Sequence, residues 1–268
     1  MSQPAALTAR GETKIHSTAI VDSDAQVGDG VTIGPWALVG PGVTIGDGTT
    51  IGPRVLIERD TVLGEDCTIA NGAVLGSDPQ DLKYLGEDAT LEIGDRTVIR
   101  EFATLNRGTA ASGRTVIGSD CLLMAYTHVA HDCELGSHVI LANSVNMAGH
   151  VVAEDWAIVG GVTPIHQFVR IGAHAFVGGG SRVPQDVPPY CRAAGNPLRL
   201  FGLNTVGLER RGLSGDVQKA LKTAYRMLFK SDVNLSKALD RTESAIEGVP
   251  EVRHLIEFIR ASERGITT

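Results

Sequence analysis

Apolar residues recur at every sixth position through the first two thirds of the chain. The first run of these positions is Ile15, Val21, Val27, Ile33, Val39, Ile45, Ile51, Ile57, Leu63, Ile69 and Leu75. The run resumes at Ile93, Ile99 and Leu105, and again at Ile117, Leu123, Val129, Leu135, Leu141, Met147, Ala153, Val159, Ile165, Ile171, Val177 and Val183. A helical face repeats about every 3.6 residues and a half-buried strand every two. A six-residue period fits neither, and it predicts a short strand and a tight turn in every unit.

Three such units would close a triangular coil of 18 residues, and stacked coils would form a parallel β-helix. The apolar residue of each unit is expected to point into the prism. A glycine often follows it, as at Gly28, Gly34 and Gly40, and we expect these glycines to supply the backbone angles that the turns demand. Four positions after the apolar residue, a small or branched residue such as Ala37 or Val43 is expected near a corner.

The repeat is interrupted twice. Residues 77–92 form a polar stretch and residues 111–116 a shorter one. We expect both to leave the coil as loops, a kind of segment that often carries function. The six-residue pattern ends before residue 190, so the predicted β-helix domain spans residues 1–190.

The last part of the chain, residues 191–268, has helical spacing instead. Ser214 is expected to cap a helix whose apolar residues lie within 217–229. Two further amphipathic helices are predicted around 233–246 and 250–263. The predicted fold is therefore mainly β, a parallel β-helix of hexapeptide repeats with a small C-terminal α-helical domain that covers the open end of the coil.

Composition and charge narrow the class of protein. Aromatic residues make up only 4% of the 268, which favours a core of small and β-branched side chains. The net charge of −7 argues against nucleic acid as a partner. We expect no stable membrane insertion, because no run of 18 apolar residues occurs. Residues 1–10 lack the apolar run of a signal peptide, and the four cysteines form no CxxC pair, so a cytoplasmic location is expected.

Six of the eight histidines lie between residues 128 and 174. In a β-helix, residues 18 positions apart stack on adjacent coils, roughly 4.8 Å apart. This spacing places His131, Gly149 and Gln167 in one row. It places Asp132 and His150 in the row beside it, and His166 in the row on the other side. His131, His150 and His166 are thus predicted to share one face.

Two kinds of chemistry fit this cluster. His131 beside Asp132 would make a general base, and Gly149 would offer an unobstructed backbone N–H to a developing oxyanion. Three neighbouring histidines are also a standard zinc set, which one branch of the hexapeptide-repeat proteins, the γ-type carbonic anhydrases, uses. The spacing fits both readings.

An ordered set of motifs carries a resemblance to a known family. The motifs are QDLKY at 80–84, IGDR at 93–96, HVAHDC at 128–133, AGH at 148–150, IHQF at 165–168, QDVPPY at 185–190 and GLERRG at 207–212. Together they closely resemble the UDP-N-acetylglucosamine O-acyltransferase family, which starts lipid A synthesis in Gram-negative bacteria.

The resemblance implies a left-handed β-helix and a homotrimer with active sites in clefts between subunits. It implies transfer of an (R)-3-hydroxyacyl group from acyl carrier protein to the 3-hydroxyl of UDP-N-acetylglucosamine. The acyl group would be carried on the phosphopantetheine of the carrier, and the enzyme itself would need no metal or other cofactor. The motifs fit either a 3-hydroxyl or a 3-amino group on the acceptor sugar, and they leave the acyl chain length open.

The resemblance also assigns roles to residues. His131 matches the catalytic base, Asp132 its orienting acid and Gly149 the amide that faces the thioester oxygen. The residues that match contacts to sugar or acyl chain are His128, His150, His166 and Gln167. Asp81 and Lys83 match loop residues that reach the substrate, and Asn204 and Arg210 match contacts to the nucleotide.

A basic segment supplies an independent indication of the partner. Between residues 190 and 230, eight Lys or Arg residues stand against two acidic ones, so this segment carries +6 and the remainder −13. Such a surface fits docking of the acidic acyl carrier protein by electrostatic steering, with Arg211 and Lys222 as candidate contacts.

Three rival interpretations fit the sequence less well. The N-acyltransferase of the same pathway usually carries an additional N-terminal domain, whereas here the repeats begin by Ile15. Metal-dependent hydratases built from these repeats are generally shorter and lack the helical tail. A non-catalytic scaffold leaves the histidine cluster unexplained.

Overall fold

A computed structural model describes residues 11–268 and shows a left-handed parallel β-helix followed by helices. The first sheet contains Lys14–Ile15, Thr32–Ile33, Thr50–Ile51, Thr68–Ile69, Val98–Ile99, Leu122–Leu123, Ile140–Leu141, Ile158–Val159, Phe176–Val177, Cys191–Ala194 and Arg199–Leu203. The second contains Ile20–Val21, Leu38–Val39, Leu56–Ile57, Val74–Ser77, Thr104–Asn106, His128–Val129, Asn146–Met147 and Pro164–Ile165. The third contains Gln26–Val27, Thr44–Ile45, Thr61–Leu63, Thr90–Ile93, Arg114–Ile117, Glu134–Leu135, Val152–Ala153 and Arg170–Ile171. The hexapeptide-repeat β-helix predicted from the spacing is confirmed.

The inward position of each repeat unit builds the core. Ile33, Ile45 and Ile57, one from each sheet, are at most 1% exposed. Strand register follows the predicted interval of 18, because Ile33 pairs with Ile51 and Met147 with Ile165. Across the two interruptions the interval lengthens but the register returns. The predicted lack of a signal peptide concerns residues 1–10, which lie outside the described residues.

The two loops leave the coil at neighbouring levels. The first was predicted over 77–92 but occupies only residues 78–89, because Ser77 ends the strand Val74–Ser77 and Thr90–Ile93 is a strand of the third sheet. The second was predicted over 111–116, and its bounds were wrong. Arg114–Ile117 is a strand that pairs with Thr90–Ile93, so the loop comprises residues 107–113.

Most of the glycines that follow the inward residues serve a purpose other than the one predicted; Gly76, with φ +70°, has the predicted left-handed backbone angle. A Cβ on Gly40 would lie 1.6 Å from the carbonyl oxygen of Glu58 in the next coil, so glycine is needed there for close approach of backbones. The left-handed backbone angles occur two residues later. Gly42 has φ +68° and, at corresponding corners, Asp132 and His150 have φ 59° and 60°. The expectation that the first set provides the turn angles is therefore corrected.

Four helices follow the coil: α1 (Thr205–Arg210), α2 (Gly215–Phe229), α3 (Leu235–Ala245) and α4 (Pro250–Arg260). Ser214 caps α2 through its side chain, which accepts a hydrogen bond from the Val217 amide at 3.3 Å, as the sequence predicts. The short helix α1 was not predicted.

The part of the chain after residue 190 is not wholly helical. Cys191–Ala194 pairs in parallel with Phe176–Val177. Arg199–Leu203 then pairs with Cys191–Ala194 in antiparallel orientation. Residues 191–203 therefore extend the first sheet, and the helices begin at Thr205. Helix α4 also lies against the coil, where Nε2 of His254 is 2.9 Å from Oε2 of Glu154. Between residues 11 and 268, none of the helices has the length and apolar character needed to cross a membrane.

Candidate active site

The predicted histidine cluster lies at one edge of the prism, between the second and third sheets. We call this edge the His131 corner; it consists of His131, Asp132, Gly149, His150 and Phe168. The amide of His150 donates to the carbonyl of His131 at 3.1 Å, and the amide of Phe168 donates to that of Gly149 at 3.2 Å. The interval of 18 thus brings these residues onto adjacent coils.

His131 and Asp132 form a buried pair. Nδ1 of His131 lies 2.7 Å from Oδ2 of Asp132, and the two residues are 9% and 6% exposed. A carboxylate at this distance holds the proton on Nδ1 and leaves Nε2 as the basic nitrogen. The pair has the arrangement of a general base with an orienting acid.

Hydrogen bonds fix the Asp132 carboxylate. It accepts bonds from the amide of Thr109 at 3.0 Å, from the Thr109 hydroxyl at 2.8 Å and from the Ser112 hydroxyl. Burial alone would raise the pKa of Asp132, but the bonds from Ser112, Thr109 and His131 outweigh it and hold that pKa well below its usual range. The carboxylate therefore stays ionised at neutral pH. The amide of Asp132 itself donates to the Thr115 hydroxyl at 2.8 Å.

Residues of the coil above His131 contact its imidazole ring. A Cβ on Gly149 would lie 2.6 Å from Cε1 of His131, so only glycine fits there beside the ring. His150 meets His131 edge to face with ring centroids 5.2 Å apart, and it stacks on Phe168 at 4.5 Å. These contacts restrict the His131 ring from above.

His128 lies beside this pair on the second sheet. Its Nδ1 is 2.8 Å from the hydroxyl of Thr104. Burial lowers the pKa of His128, and the neighbouring His131 lowers it further. His128 is thus held neutral, in a form that can donate or accept a hydrogen bond.

His166 and Gln167 are exposed, one coil above Gly149. Nδ1 of His166 lies 3.0 Å from a guanidinium nitrogen of Arg264, a residue of the C-terminal tail. In the described part of the chain, the potential metal ligands that lie within 4.8 Å of one another are His131, Asp132 and His150. The three-histidine set that includes His166 is therefore not assembled.

The first loop reaches the same corner. Burial lowers the pKa of His150, and Asp132, His131 and the loop charges of Asp81 and Lys83 make smaller electrostatic contributions to that pKa. Asp81 forms a local turn in which its carboxylate accepts from the Lys83 amide at 3.0 Å. Leu82 and Leu85 on the loop are almost completely exposed.

A fully buried arginine anchors this loop. The Arg107 guanidinium donates to the carbonyl of Gly76, to the carboxylate of Asp78 and, at 3.1 Å, to the hydroxyl of Tyr84. Asn106 adds a bond of 2.9 Å to the Asp78 carbonyl. These bonds tie the loop's first half to the wall of the coil.

The predicted nucleotide contacts lie at a different edge of the prism. We call this edge, between the third and first sheets, the Arg211 corner; its residues are His138, Trp156, His174, Tyr190 and Arg211. The rings of the first four stack along the edge, and the Arg211 guanidinium lies 4.0 Å from the Trp156 ring centroid.

Asn204 and Arg210 belong to that second edge. Nδ2 of Asn204 donates to the His174 carbonyl at 3.0 Å, and its Oδ1 accepts from the Gly207 amide at 3.3 Å as the cap of α1. Both residues line a pocket of about 270 Å³ together with Phe176 and Arg192. Within one chain they do not meet His131.

The two predicted carrier-docking residues also have different surroundings. Lys222 lines a mostly apolar groove of about 510 Å³ beside α2, with Lys219, Arg226 and Lys230 along it. Arg211 instead stacks on Trp156.

Sequence reasoning missed the residues that support the site. Thr109 and Ser112, which hold Asp132, lie in the second loop, and Arg107 starts that loop. One signal was available: this loop lies one coil below Asp132, which indicates that it is close to the carboxylate but not which of its side chains reach it.

A supported His–Asp pair at the edge of a hexapeptide-repeat coil, with a helical tail, defines a hexapeptide-repeat acyltransferase. Sequence comparisons agree with this class. The family described as bacterial transferase hexapeptide (six repeats) matches residues 12–47, 42–77 and 114–149, and the family described as UDP-N-acetylglucosamine O-acyltransferase, domain 2, matches residues 186–267.

Relatives of known identity narrow the class to one family. An acyl-(acyl-carrier-protein)–UDP-N-acetylglucosamine O-acyltransferase of Myxococcus xanthus is 52% identical over 95% of this chain and 99% of its own length. The solved structure of the Acinetobacter baumannii enzyme LpxA superposes with a TM-score of 0.92 at 45% identity, covering 95% of this chain and 99% of that one. UDP-N-acetylglucosamine acyltransferase LpxA from Bacteroides fragilis gives 0.93 at 41% identity, covering 95% of this chain and all of that one. The chain belongs to the UDP-N-acetylglucosamine O-acyltransferase family and is an enzyme.

Proposed function

We propose that this enzyme transfers an (R)-3-hydroxyacyl group from acyl carrier protein to the 3-hydroxyl of UDP-N-acetylglucosamine, in the first step of lipid A synthesis, with His131 as the general base. The observation that carries the proposal is the contact of 2.7 Å between His131 Nδ1 and Asp132 Oδ2. It leaves Nε2 as the basic nitrogen, on the side of the ring that faces Gly149.

The reaction needs such a base. A sugar hydroxyl is a poor nucleophile at neutral pH, so Nε2 of His131 takes its proton as the oxygen attacks the thioester carbon. The carbonyl oxygen gains negative charge, which the Gly149 N–H stabilises. Collapse of the tetrahedral intermediate breaks the C–S bond, and the protonated His131 returns the proton to the thiol leaving group of the carrier.

Replacement of the base tests this role. His131→Ala is expected to lower kcat about 10²- to 10⁴-fold while the oligomer remains intact. His16→Ala is the matched control, because His16 is an exposed histidine near the start of the coil. Near-normal turnover of the His131 variant would refute the assignment.

We propose further that the enzyme works as a homotrimer in which each site combines the His131 corner of one subunit with the Arg211 corner of its neighbour. The separation of Arg210 from His131 within one chain supports this arrangement, since one protomer alone offers only half of the predicted contacts. The exposed Leu82 and Leu85 also fit cover by a neighbouring subunit.

Mixed trimers test the shared site. His131→Ala and Arg210→Glu are each expected to be inactive alone. When the two are co-expressed, every mixed trimer regains one site in which both residues are intact. If the two residues acted within one chain, no mixture would recover activity.

We propose that the groove beside α2 receives the acyl carrier protein, which is acidic. Apolar walls flanked by Lys219, Lys222, Arg226 and Lys230 fit an acidic partner with an apolar contact residue. Lys222→Glu should raise the KM for the acyl carrier substrate, most strongly at low salt. Lys237→Glu, an exposed charge reversal on α3, should not.

We propose that the catalytic steps use no metal and take place in the cytoplasm, with the acyl donor on the carrier's phosphopantetheine. The hydrogen bonds from Thr109, Ser112 and His131 occupy both oxygens of Asp132, so this carboxylate is committed to orienting the base. Stoichiometric zinc in the purified active enzyme, lost together with activity on chelation, would overturn the metal-free mechanism.

A further inference from the structure

Three side chains connect α4 to the coil beside the Arg211 corner. The Tyr190 hydroxyl lies 2.9 Å from Nδ1 of His254, and Nε2 of the same ring lies 2.9 Å from Oε2 of Glu154. The hydrogen bond from His254 helps keep Glu154 ionised: burial raises the pKa of this carboxyl, but His254, the Ala173 amide and Arg170 outweigh that effect and lower it. The ionised carboxylate accepts from His254, which leaves Nδ1 to accept from the Tyr190 hydroxyl.

Tyr190 connects this hydrogen-bonded group to Asn204, the residue that precedes α1. Its carbonyl accepts the Asn204 amide at 2.8 Å, directly before α1 begins. Its ring stacks on His174, with centroids 5.7 Å apart, and the His174 carbonyl accepts Nδ2 of Asn204. Asn204 is therefore held twice, once through the backbone of Tyr190 and once through the residue on which Tyr190 stacks.

The side chain of Asn204 is occupied by these internal bonds and by its capping bond to Gly207. It is also only 8% exposed. Its role is accordingly to set the start of α1, which carries Arg210 in its last turn and has Arg211 as its C-cap. The direction of α1 decides where those two guanidinium groups point.

We infer that Glu154, His254 and Tyr190 form a positioning relay that fixes α1, and with it Arg210, for binding the diphosphate of the nucleotide sugar. This inference rests on the proposed function, because it assumes that Arg210 contacts the nucleotide. The three residues touch neither substrate nor reacting atoms. They act through Asn204.

A positioning role predicts a specific kinetic pattern. Tyr190→Phe removes the hydroxyl but keeps the ring stacked on His174. It should raise the KM for UDP-N-acetylglucosamine about fivefold, which corresponds to the net free energy of one hydrogen bond. The kcat at saturating sugar nucleotide and the KM for the acyl carrier substrate should stay within about twofold. Calorimetric titration of the full trimer with UDP should show a matching loss of affinity.

Variants at residue 254 separate positioning from packing. His254→Asn keeps an acceptor near the position of Nδ1 and should restore part of the UDP affinity that His254→Ala loses. Arg253→Gln is the matched control: Arg253 is the exposed neighbour in α4 and should leave both constants unchanged. If His254→Ala impairs folding, Tyr190→Phe still tests the relay, because it leaves His254 in place.

The outcomes distinguish this inference from the proposed function. If Arg210→Gln weakens UDP binding but Tyr190→Phe and His254→Ala do not, the relay is wrong and the nucleotide assignment stands. If Arg210→Gln has no effect on UDP binding, both the assignment and the relay are wrong. Equal losses of kcat for every variant, together with a lower Tm, would mean that the three residues only hold α4 in place.

Discussion

Gly149 faces the imidazole of His131 at a distance that leaves no space for a side chain. A Cβ on residue 149 would lie 2.6 Å from Cε1 and 2.8 Å from Nε2 of the ring. Contacts below 3.0 Å force something to shift, and here the atom that must shift is the proposed base. Glycine is therefore required at residue 149 to leave room for the His131 ring, and not to allow an unusual backbone conformation.

Gly149→Ala should lower kcat about a hundredfold, because a displacement of the base by about 1 Å removes it from the line of the acceptor hydroxyl. The Tm should change little, since the atoms that must shift belong to the His131 side chain and not to the backbone. Gly11→Ala is a control glycine with free space around it. Unchanged turnover in the Gly149 variant would show that His131 tolerates displacement and is not the base.

Asp132→Asn should lower kcat at least about a hundredfold. An amide at residue 132 cannot accept all the bonds from Thr109, Ser112 and His131, and the imidazole loses the partner that keeps its proton on Nδ1. Steady-state kinetics at saturating substrates measures the loss. Ser112→Ala should produce a smaller loss in the same direction, and the reverse order would contradict a supporting role for Ser112.

The stability of the enzyme should fall as the pH drops below about 6.5. Burial lowers the pKa values of His128, His150 and His174 from their ordinary value of 6.5. Between that value and the lower folded-state pKa values, the unfolded chain binds protons that the folded chain does not, so acidification favours unfolding.

Thermal unfolding at constant protein concentration measures this effect. The Tm of the wild type should decrease between pH 7 and pH 5.5, and the decrease should be smaller in His128→Gln, which removes one of the three groups. A Tm that rises on acidification would contradict the assigned direction.

Arg107→Lys should loosen the loop over residues 78–89. A lysine cannot make the bonds to Gly76, Asp78 and the Tyr84 hydroxyl at the same time. The N–H donors of a lysine all lie on one nitrogen, whereas those of a guanidinium are spread over three. We expect a destabilisation of about 2 kcal/mol and faster proteolysis within the loop. Arg100→Lys, which changes an exposed pair with Glu101, is the control and should behave like the wild type.

The sequence was sufficient for the coil because one physical rule governs every turn of it. Inward positions such as Ile33 must be apolar, and stacking at an interval of 18 then fixes which outward residues are neighbours. That rule predicts from the sequence alone that His131, Gly149, Asp132 and His150 lie together.

The same rule could not reach residues outside the coil. Arg107, Thr109 and Ser112 support the site from a loop, and a loop has no period from which its contacts follow. The path of residues 191–203 was hidden for a related reason, because a sheet that continues after the repeat ends no longer shows six-residue spacing. The role of the glycines was mistaken since both close approach and unusual backbone angles select for glycine.

The two loops leave the coil with only a local register shift between Leu75 and Ser77, and the stacking of the coil resumes after each of them. Thr68 pairs with Val98 and Thr104 with His128, so the strands realign after each detour whatever its length. The stacking of coils therefore does not require 18 residues in each coil. Segments of foreign sequence could be spliced into the first loop to reshape the acceptor side of the cleft, while the histidine and its carboxylate keep their positions on the scaffold.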